Sequence, residues 1–291
     1  MKLNKGFFPA LGTPLDHEGR LVEESLRRQI DMQINAGAAG ALCMGSMGAE
    51  AALTTAEYAR TAKTAAEAVA GRVPLFVGAM DNSVFRVKER FAALADLPID
   101  GVVLTTPFYS TTSTENLIRF FLSAADAAPH PLYLYDLPGV TKQKITFSMV
   151  KALAKHPNIR GIKTGDIVLA RKLQLECPEF DLLFSNIDIF DVANAFALPR
   201  VLDGMFACTP ANTAAFNDCF LAGDFAGAGK HLDNILALRD LFLENGVWPG
   251  FTVAMNLLGL DGNYGFGYDW IPAPGEAERV EEFMKTIGEI H

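Results

Sequence analysis

Short apolar runs alternate with longer stretches of helical period eight times as far as Leu221 of this 291-residue chain. The runs occupy residues 7–11, 40–44, 74–79, 101–105, 132–135, 159–163, 182–184 and 201–207. Each is the length of a strand buried on both faces. The stretches between them, 22–35, 55–70, 83–96, 114–127, 147–155, 168–176, 190–197 and 212–221, carry apolar residues at helical spacing. Strands separated by helices pair in parallel through right-handed crossovers. Eight such units predict a closed (β/α)₈ TIM barrel. The competing architecture is an open doubly wound sheet, but no GxGxxG follows the first run.

Strand signals stop after Leu221. Residues 225–243, 253–258 and 276–290 read as helices, and a Gly-, Tyr- and Trp-rich stretch at 259–270 separates the last two. The expected division is a barrel over 1–223 and a C-terminal helical region, 224–291, packed on it. No linker-like or low-complexity segment intervenes. Half of the residues are hydrophobic, so a large core is available. The net charge of −9 argues against nucleic-acid and anionic-membrane partners. No apolar run approaches the ~20 residues of a membrane span, and the first nine residues are too weakly apolar for a signal peptide, so a cytoplasmic enzyme is expected. Cys43, Cys177, Cys208 and Cys219 lack CxxC spacing, and the five histidines do not cluster near them. Reduced thiols and no metal site are expected.

In a TIM barrel the chemistry gathers where strands end. The sixth run ends in a lysine within Asn-Ile-Arg-Gly-Ile-Lys-Thr-Gly-Asp, residues 158–166. Lys163 is expected to be half-buried, pointing out of the sheet's end. Desolvation disfavours an ammonium ion, and a neutral amine can attack a ketone to form a Schiff base. Tyr135 ends the neighbouring fifth run, which places a proton carrier beside the nucleophile. The other ends supply Thr13, Ser46, Met47 and Gly48, Asp81 and Asn82, Thr105, Thr106 and Tyr109, Asp188, and Thr209. Hydroxyls and backbone amides dominate, a set poor in metal ligands and suited to a keto acid. Each residue also has an ordinary reading. Lys163 could be a solvated loop lysine, Tyr135 a satisfied core tyrosine, and 45–48 a plain turn. Glu50 reads as a helix-start acid favoured by the dipole, and Asp166 as an N-cap.

Five segments then resemble, in chain order, those of the dihydrodipicolinate synthase / N-acetylneuraminate lyase family. They are Phe-Pro-Ala-Leu-Gly-Thr-Pro-Leu-Asp (8–16), Gly-Ser-Met-Gly (45–48), Pro-Phe-Tyr (107–109), Tyr-Asp-Leu-Pro (135–138) and Gly-Ile-Lys (161–163). The resemblance spans nearly the whole chain. It implies a TIM barrel with a C-terminal helical region, a homotetramer built as a pair of dimers, and chemistry that needs no cofactor. By resemblance, Lys163 would form the Schiff base with pyruvate or another 2-keto acid. Tyr135 would move protons and position the carboxylate. Ser46 would pass protons between Tyr135 and a Tyr109 reaching in from a neighbouring subunit. The amides around Ser46, Met47 and Gly48 would hold the keto acid's carboxylate, with Thr13 nearby. Thr106, Thr164, Asp188 and Thr209 are candidates for the variable end of the substrate.

Departures from the family pattern bear on that variable end. Met47 replaces a second hydroxyl, and Ala49 replaces a glutamate. Dihydrodipicolinate synthases place an arginine about where Val140 stands; Lys142 lies close, but only as a point charge. Gly165 and Ile189 stand where sialic acid lyases carry a threonine and a glutamate. The expected activity is a class I, carbon–carbon lyase acting on a 2-keto-3-deoxy sugar acid, with pyruvate as one partner. The alternatives are dihydrodipicolinate synthase-like condensation or 2-keto acid dehydration on the same imine, or a non-catalytic keto-acid-binding protein.

Overall fold

The computed structural model describes residues 3–291. It contains eight parallel strands: β1 (Gly6–Pro9), β2 (Ala41–Cys43), β3 (Leu75–Gly78), β4 (Gly101–Thr105), β5 (Leu132–Asp136), β6 (Ile159–Thr164), β7 (Asp181–Phe184) and β8 (Arg200–Asp203). Pairing follows chain order from β2 to β8, and β8 pairs with β1. The last gap closes where Ala10 bridges Leu42 and the Leu11 N–H donates to the Leu42 carbonyl at 2.8 Å. The sheet is therefore a barrel ringed by helices, as the alternation of runs predicts.

Side chains on a strand point alternately to its two faces. The inward set includes Phe8, Leu42, Phe76, Val103, Tyr133, Leu183 and Leu202, all buried. Phe76 meets Tyr133 edge-on at 4.8 Å, and the Tyr133 hydroxyl donates to Asp181 Oδ2 at 2.9 Å. The outward set, including Phe7, Val77, Leu104, Leu134, Ile162, Phe184 and Val201, packs under the helices. Burying one such side chain contributes roughly 1.5–3 kcal/mol. Helix starts are fixed by side-chain caps. Thr54, Ser83, Ser113, Thr146 and Asp166 each accept from an amide of the first turn, worth about 1 kcal/mol apiece.

The structure differs from the sequence reading most at three places, and the last C-terminal helix, expected over 276–290, ends at Thr286, just before Gly288 turns left-handed at φ 76°. The eighth run stops being a strand at Asp203, because the Asp203 carboxylate accepts from the Met205 N–H at 2.9 Å and turns the chain into the short 3₁₀ segment Met205–Cys208. The helix expected over 190–197 is short, Phe190–Ala193, and ends in a 3₁₀ turn closed by Ala197 at φ 57°. The second C-terminal helix begins at Val247 rather than 253, since Pro249 falls in its first turn, where no intrahelical N–H is required. The C-terminal helices Phe225–Leu243, Val247–Leu257 and Glu276–Thr286 bury Leu232, Ile235, Leu238, Phe242, Phe251, Met255, Val280 and Met284 in the same core as the barrel's outer face.

One turn sets the geometry of the barrel mouth. Met44, the residue after β2, has φ 54°, a left-handed conformation costing roughly 1–2 kcal/mol for a residue with a side chain. Its carbonyl oxygen occupies the volume that a Cβ on Gly78 would take. Tyr58 holds the other side of the contact, its hydroxyl donating to the Gly78 carbonyl at 2.8 Å. Gly78→Ala is expected to lower stability by at least about 2 kcal/mol and to displace the loop that carries Ser46. Chemical denaturation checks the first effect. An alanine variant as stable as the parent would show that the turn at Met44 yields freely.

Candidate active site

Strand register assembles the centre of the site. β4 pairs Thr105 with Tyr135, and β5 pairs Tyr135 with Lys163. In-register partners on parallel strands project to the same side, so the three side chains stand at one level inside the barrel, at its C-terminal end. Lys163 is 4% exposed, deeper than the half-buried position expected of it, because the side chain points into the barrel rather than past the sheet's end. Its Nζ donates to the Tyr135 hydroxyl at 2.9 Å and lies 4.1 Å from the centre of that ring. The Tyr135 oxygen is in turn 3.1 Å from Ser46 Oγ. An amine, a phenol and an alcohol thus form one continuous chain.

The loops around this chain are held by side-chain contacts. Gln29 clamps Gly12, accepting from its N–H at 2.9 Å and donating to its carbonyl at 3.1 Å. That loop presents Thr13, whose hydroxyl donates to the Gly48 carbonyl at 2.7 Å. Gly48 is boxed in, since a Cβ there would lie 2.8 Å from Met44 Cα and 3.0 Å from the Leu11 oxygen. The Met47 side chain rests against Gly204, where a Cβ would come within 2.6 Å of Met47 Cγ. Asn82 Oδ1 accepts from the N–H groups of Phe108 and Tyr109 at 2.9 and 2.7 Å, which fixes the backbone of a loop whose Tyr109 ring is 89% exposed.

Other candidates are engaged elsewhere. Thr164 donates to Asp136 Oδ2 at 2.9 Å, and Lys144 Nζ reaches the same oxygen at 2.6 Å. Lys144 also pairs with Asp166 at 2.9 Å, and Asp166 caps its helix as expected. Asp188 is held by Arg239 at 2.6 Å. Thr209 donates to the Met205 carbonyl at 2.8 Å and sits 3.1 Å from the Thr213 hydroxyl, fully buried. The Lys142 ammonium donates to the Gly139 carbonyl at 2.7 Å. The Thr106 hydroxyl is buried without a partner. Among the described residues no three His, Cys, Asp or Glu side chains gather as a metal site.

Three features of the site escaped the sequence reading. The first is Glu50. It begins the short 3₁₀ segment Glu50–Ala52, a helix start as expected, but it is wholly buried. Its Oε1 lies 3.2 Å from Arg90 Nε, which is also 3.6 Å from Asp81 Oδ2, while the Arg90 guanidinium stacks 4.5 Å above the Tyr58 ring. Burial pushes the Glu50 carboxyl up to about 8 against the pull of Arg90. The signal was present: Arg90 falls on the same helical stripe as Val87, Phe91 and Leu94, all of them buried. The second is the setting of Thr105, named from the sequence only as a strand-end residue: its hydroxyl is buried and unpartnered beside Tyr135. The third is a cavity of about 410 Å³ that opens beside Ser46, with Glu50 and Thr105 in its lining and with Trp248 and Phe266 contributed by the C-terminal region.

This constellation can be set against known proteins. The sequence profile of the Dihydrodipicolinate synthetase family matches residues 3–281. The chain belongs to that family. Among curated members, 4-hydroxy-tetrahydrodipicolinate synthase from Pelobacter propionicus is 33% identical over 260 residues, covering 88% of this chain and 89% of that protein. Among solved structures, YagE, a prophage protein of this family from E. coli K12 determined in complex with pyruvate, superposes with a TM-score of 0.89 at 23% identity, covering 99% of both chains. N-acetylneuraminate lyase from Proteus mirabilis superposes with a TM-score of 0.90 at 19% identity, covering 98% of this chain and 99% of that one. The barrel with its helical C-terminal region is thus the fold of the family.

The raised Glu50 pKa gives this family member a distinctive pH dependence. In the unfolded chain the carboxyl titrates near 4.5, in the folded chain near 8. The folded state therefore holds the extra proton between those values, and stability falls as pH rises through that window. Thermal unfolding measured from pH 5 to pH 8 should show the melting temperature falling more steeply in the parent than in Glu50→Gln. Parallel curves would contradict a protonated Glu50.

Proposed function

We propose that the protein is a class I, Schiff-base enzyme that joins a 2-keto acid, pyruvate in the first instance, to an aldehyde, or splits the product of that union. The observation that carries this reading is the hydrogen-bonded chain from Lys163 Nζ through the Tyr135 hydroxyl to Ser46 Oγ, buried inside the barrel. The activity named for the curated relatives supports carbon–carbon bond formation of the dihydrodipicolinate synthase kind over cleavage of a sugar-derived keto acid. The engagement of Asp188, Thr164 and Thr209 in other contacts points the same way, because those hydroxyl and carboxylate groups are the ones a polyhydroxy chain would need.

The chemistry follows from the geometry. The Lys163 amine attacks the C2 carbonyl of the keto acid, and the resulting carbinolamine loses water to give a protonated imine. That cation withdraws electrons from C3, so a C3 proton leaves and an enamine forms. The enamine carbon attacks the aldehyde carbon, and the aldehyde oxygen takes a proton from the hydroxyl chain. Water then hydrolyses the imine and frees the lysine. Tyr135 carries the proton at these steps in this reading, a role supported by its hydrogen-bond reach to both Nζ and Ser46. The amide-rich loop 45–48 is suited to the keto acid's carboxylate. The exposed Tyr109 ring, its backbone held by Asn82, would complete the chain in a neighbouring subunit of an oligomer.

Borohydride reduction in the presence of pyruvate, followed by peptide mass spectrometry, tests the imine. A reduced adduct on Lys163 is expected, absent in Lys163→Arg, whose turnover should fall about 1,000-fold or more while the fold persists. Retained turnover in that variant would refute the mechanism. Tyr135→Phe should lower kcat by about 100- to 1,000-fold with little change in the amount of adduct at equilibrium.

A further inference from the structure

The cavity of about 410 Å³ beside Ser46 is within the size range of a small-molecule site. It meets the hydroxyl chain at Ser46, and its wall offers an acceptor aldehyde an apolar seat, whereas the cavity of about 350 Å³ on the Tyr135 side is lined by Lys144, Asp136 and Asp166. Its polar groups are few and lie in three places. Ser46 and the unpartnered Thr105 hydroxyl sit at the inner end, beside Tyr135. The Thr141 hydroxyl is occupied, donating to backbone carbonyls at 3.1 and 3.2 Å. The Glu50 carboxyl is tied to Arg90 at 3.2 Å. The remaining wall is apolar and includes Met80, Phe108, Leu137, Val140, Trp248 and Phe266. Trp248 and Phe266 form an edge-to-face pair with ring centres 5.1 Å apart.

We infer that the aldehyde this enzyme accepts is apolar, and that an aryl aldehyde fits best; the inference rests on the keto-acid condensation proposed above. An aldehyde bearing a carboxylate has no cation to meet in the cavity. Val140 supplies none, Lys142 turns its ammonium to the Gly139 carbonyl at 2.7 Å, and Arg90 is held between Glu50 and Asp81. A buried carboxylate without such a partner is strongly disfavoured. A polyhydroxy aldehyde would leave most of its hydroxyls against Met80, Leu137 and the aromatic pair, also unpartnered. An aryl ring removes apolar area from water on both partners and meets the Trp248–Phe266 pair in edge or offset contact. Its carbonyl is left at the inner end, where Ser46 and Thr105 are the available donors. The new bond joins C3 of pyruvate to the aldehyde carbon, the aldehyde oxygen becomes a hydroxyl, and the product is a 4-aryl-4-hydroxy-2-oxobutanoate. No oxidant or reductant enters the balance.

A competition experiment decides the matter. The enzyme with pyruvate is offered equal concentrations of benzaldehyde, succinic semialdehyde and glyceraldehyde, and the condensation products are quantified by mass spectrometry. In parallel, borohydride reports the pyruvate adduct on Lys163. The benzaldehyde product is expected to exceed each of the others by about 100-fold or more. Val140→Arg, which places a cation at the cavity wall, should move the ratio about tenfold or more toward succinic semialdehyde, with adduct formation unchanged. If the adduct forms but the carboxylated or hydroxylated aldehyde is preferred, or no aldehyde is consumed, the inference about the acceptor falls and the imine stands. If no adduct forms, both fall.

Discussion

The site depends on strand register. Thr105, Tyr135 and Lys163 come from segments separated by helices and loops, yet they share one level because β4, β5 and β6 pair without a slip at those positions. A shift of one residue in any of these strands would turn its side chain from the barrel interior to the helix layer. The same alternation buries Leu134 and Ile162 under the helices. The apolar outer face therefore anchors the register, and the register places the amine against the phenol. The irregularity between β5 and β6 lies near Leu132 and Tyr133, at the opposite end of those strands from the reacting groups.

Around this rigid centre, loops are fixed by single side-chain amides, of which Gln29 and Gln143 are buried. Gln29 holds the Thr13 loop and Asn82 the Tyr109 loop. Gln143 donates to the Pro107 carbonyl at 2.8 Å and accepts from the Thr112 N–H at 2.7 Å. Each is neutral, so each satisfies backbone groups without a charge close to the lysine. A separate set of ionisable groups, Glu50, Arg90, Asp81 and Arg86, is paired within itself.

The fold was legible because period-2 and period-3.6 patterns are local properties of the chain, and each βα unit repeats them. Lys163 and Tyr135 were legible because they stand at the ends of apolar runs, where the barrel puts its chemistry. The strands' true limits were less so: Asp203 ends β8 by capping the turn that follows, a local hydrogen bond that an apolar run conceals. The burial of Glu50 was not legible because its partner Arg90 is distant in sequence and reaches it only through the packing of neighbouring barrel units. Thr164 ends β6 and Thr209 closes the 3₁₀ turn after β8, but the hydroxyl of each found an intramolecular acceptor first. The cavity wall formed by Trp248 and Phe266 could not be read ahead of the fold, since it requires the C-terminal region to lie against the barrel mouth.

The contact between the Met44 carbonyl and Gly78 has a consequence for sequence divergence. The left-handed turn at Met44 and the bare backbone at Gly78 occupy adjacent strands and a single volume. Neither position can drift alone. A lineage that acquires a side chain at 78 must flatten the turn at 44, and the loop that then leaves β2 will present residue 46 from a different origin. Positions 44, 46 and 78 are therefore coupled, and substitutions among them should accumulate together rather than singly.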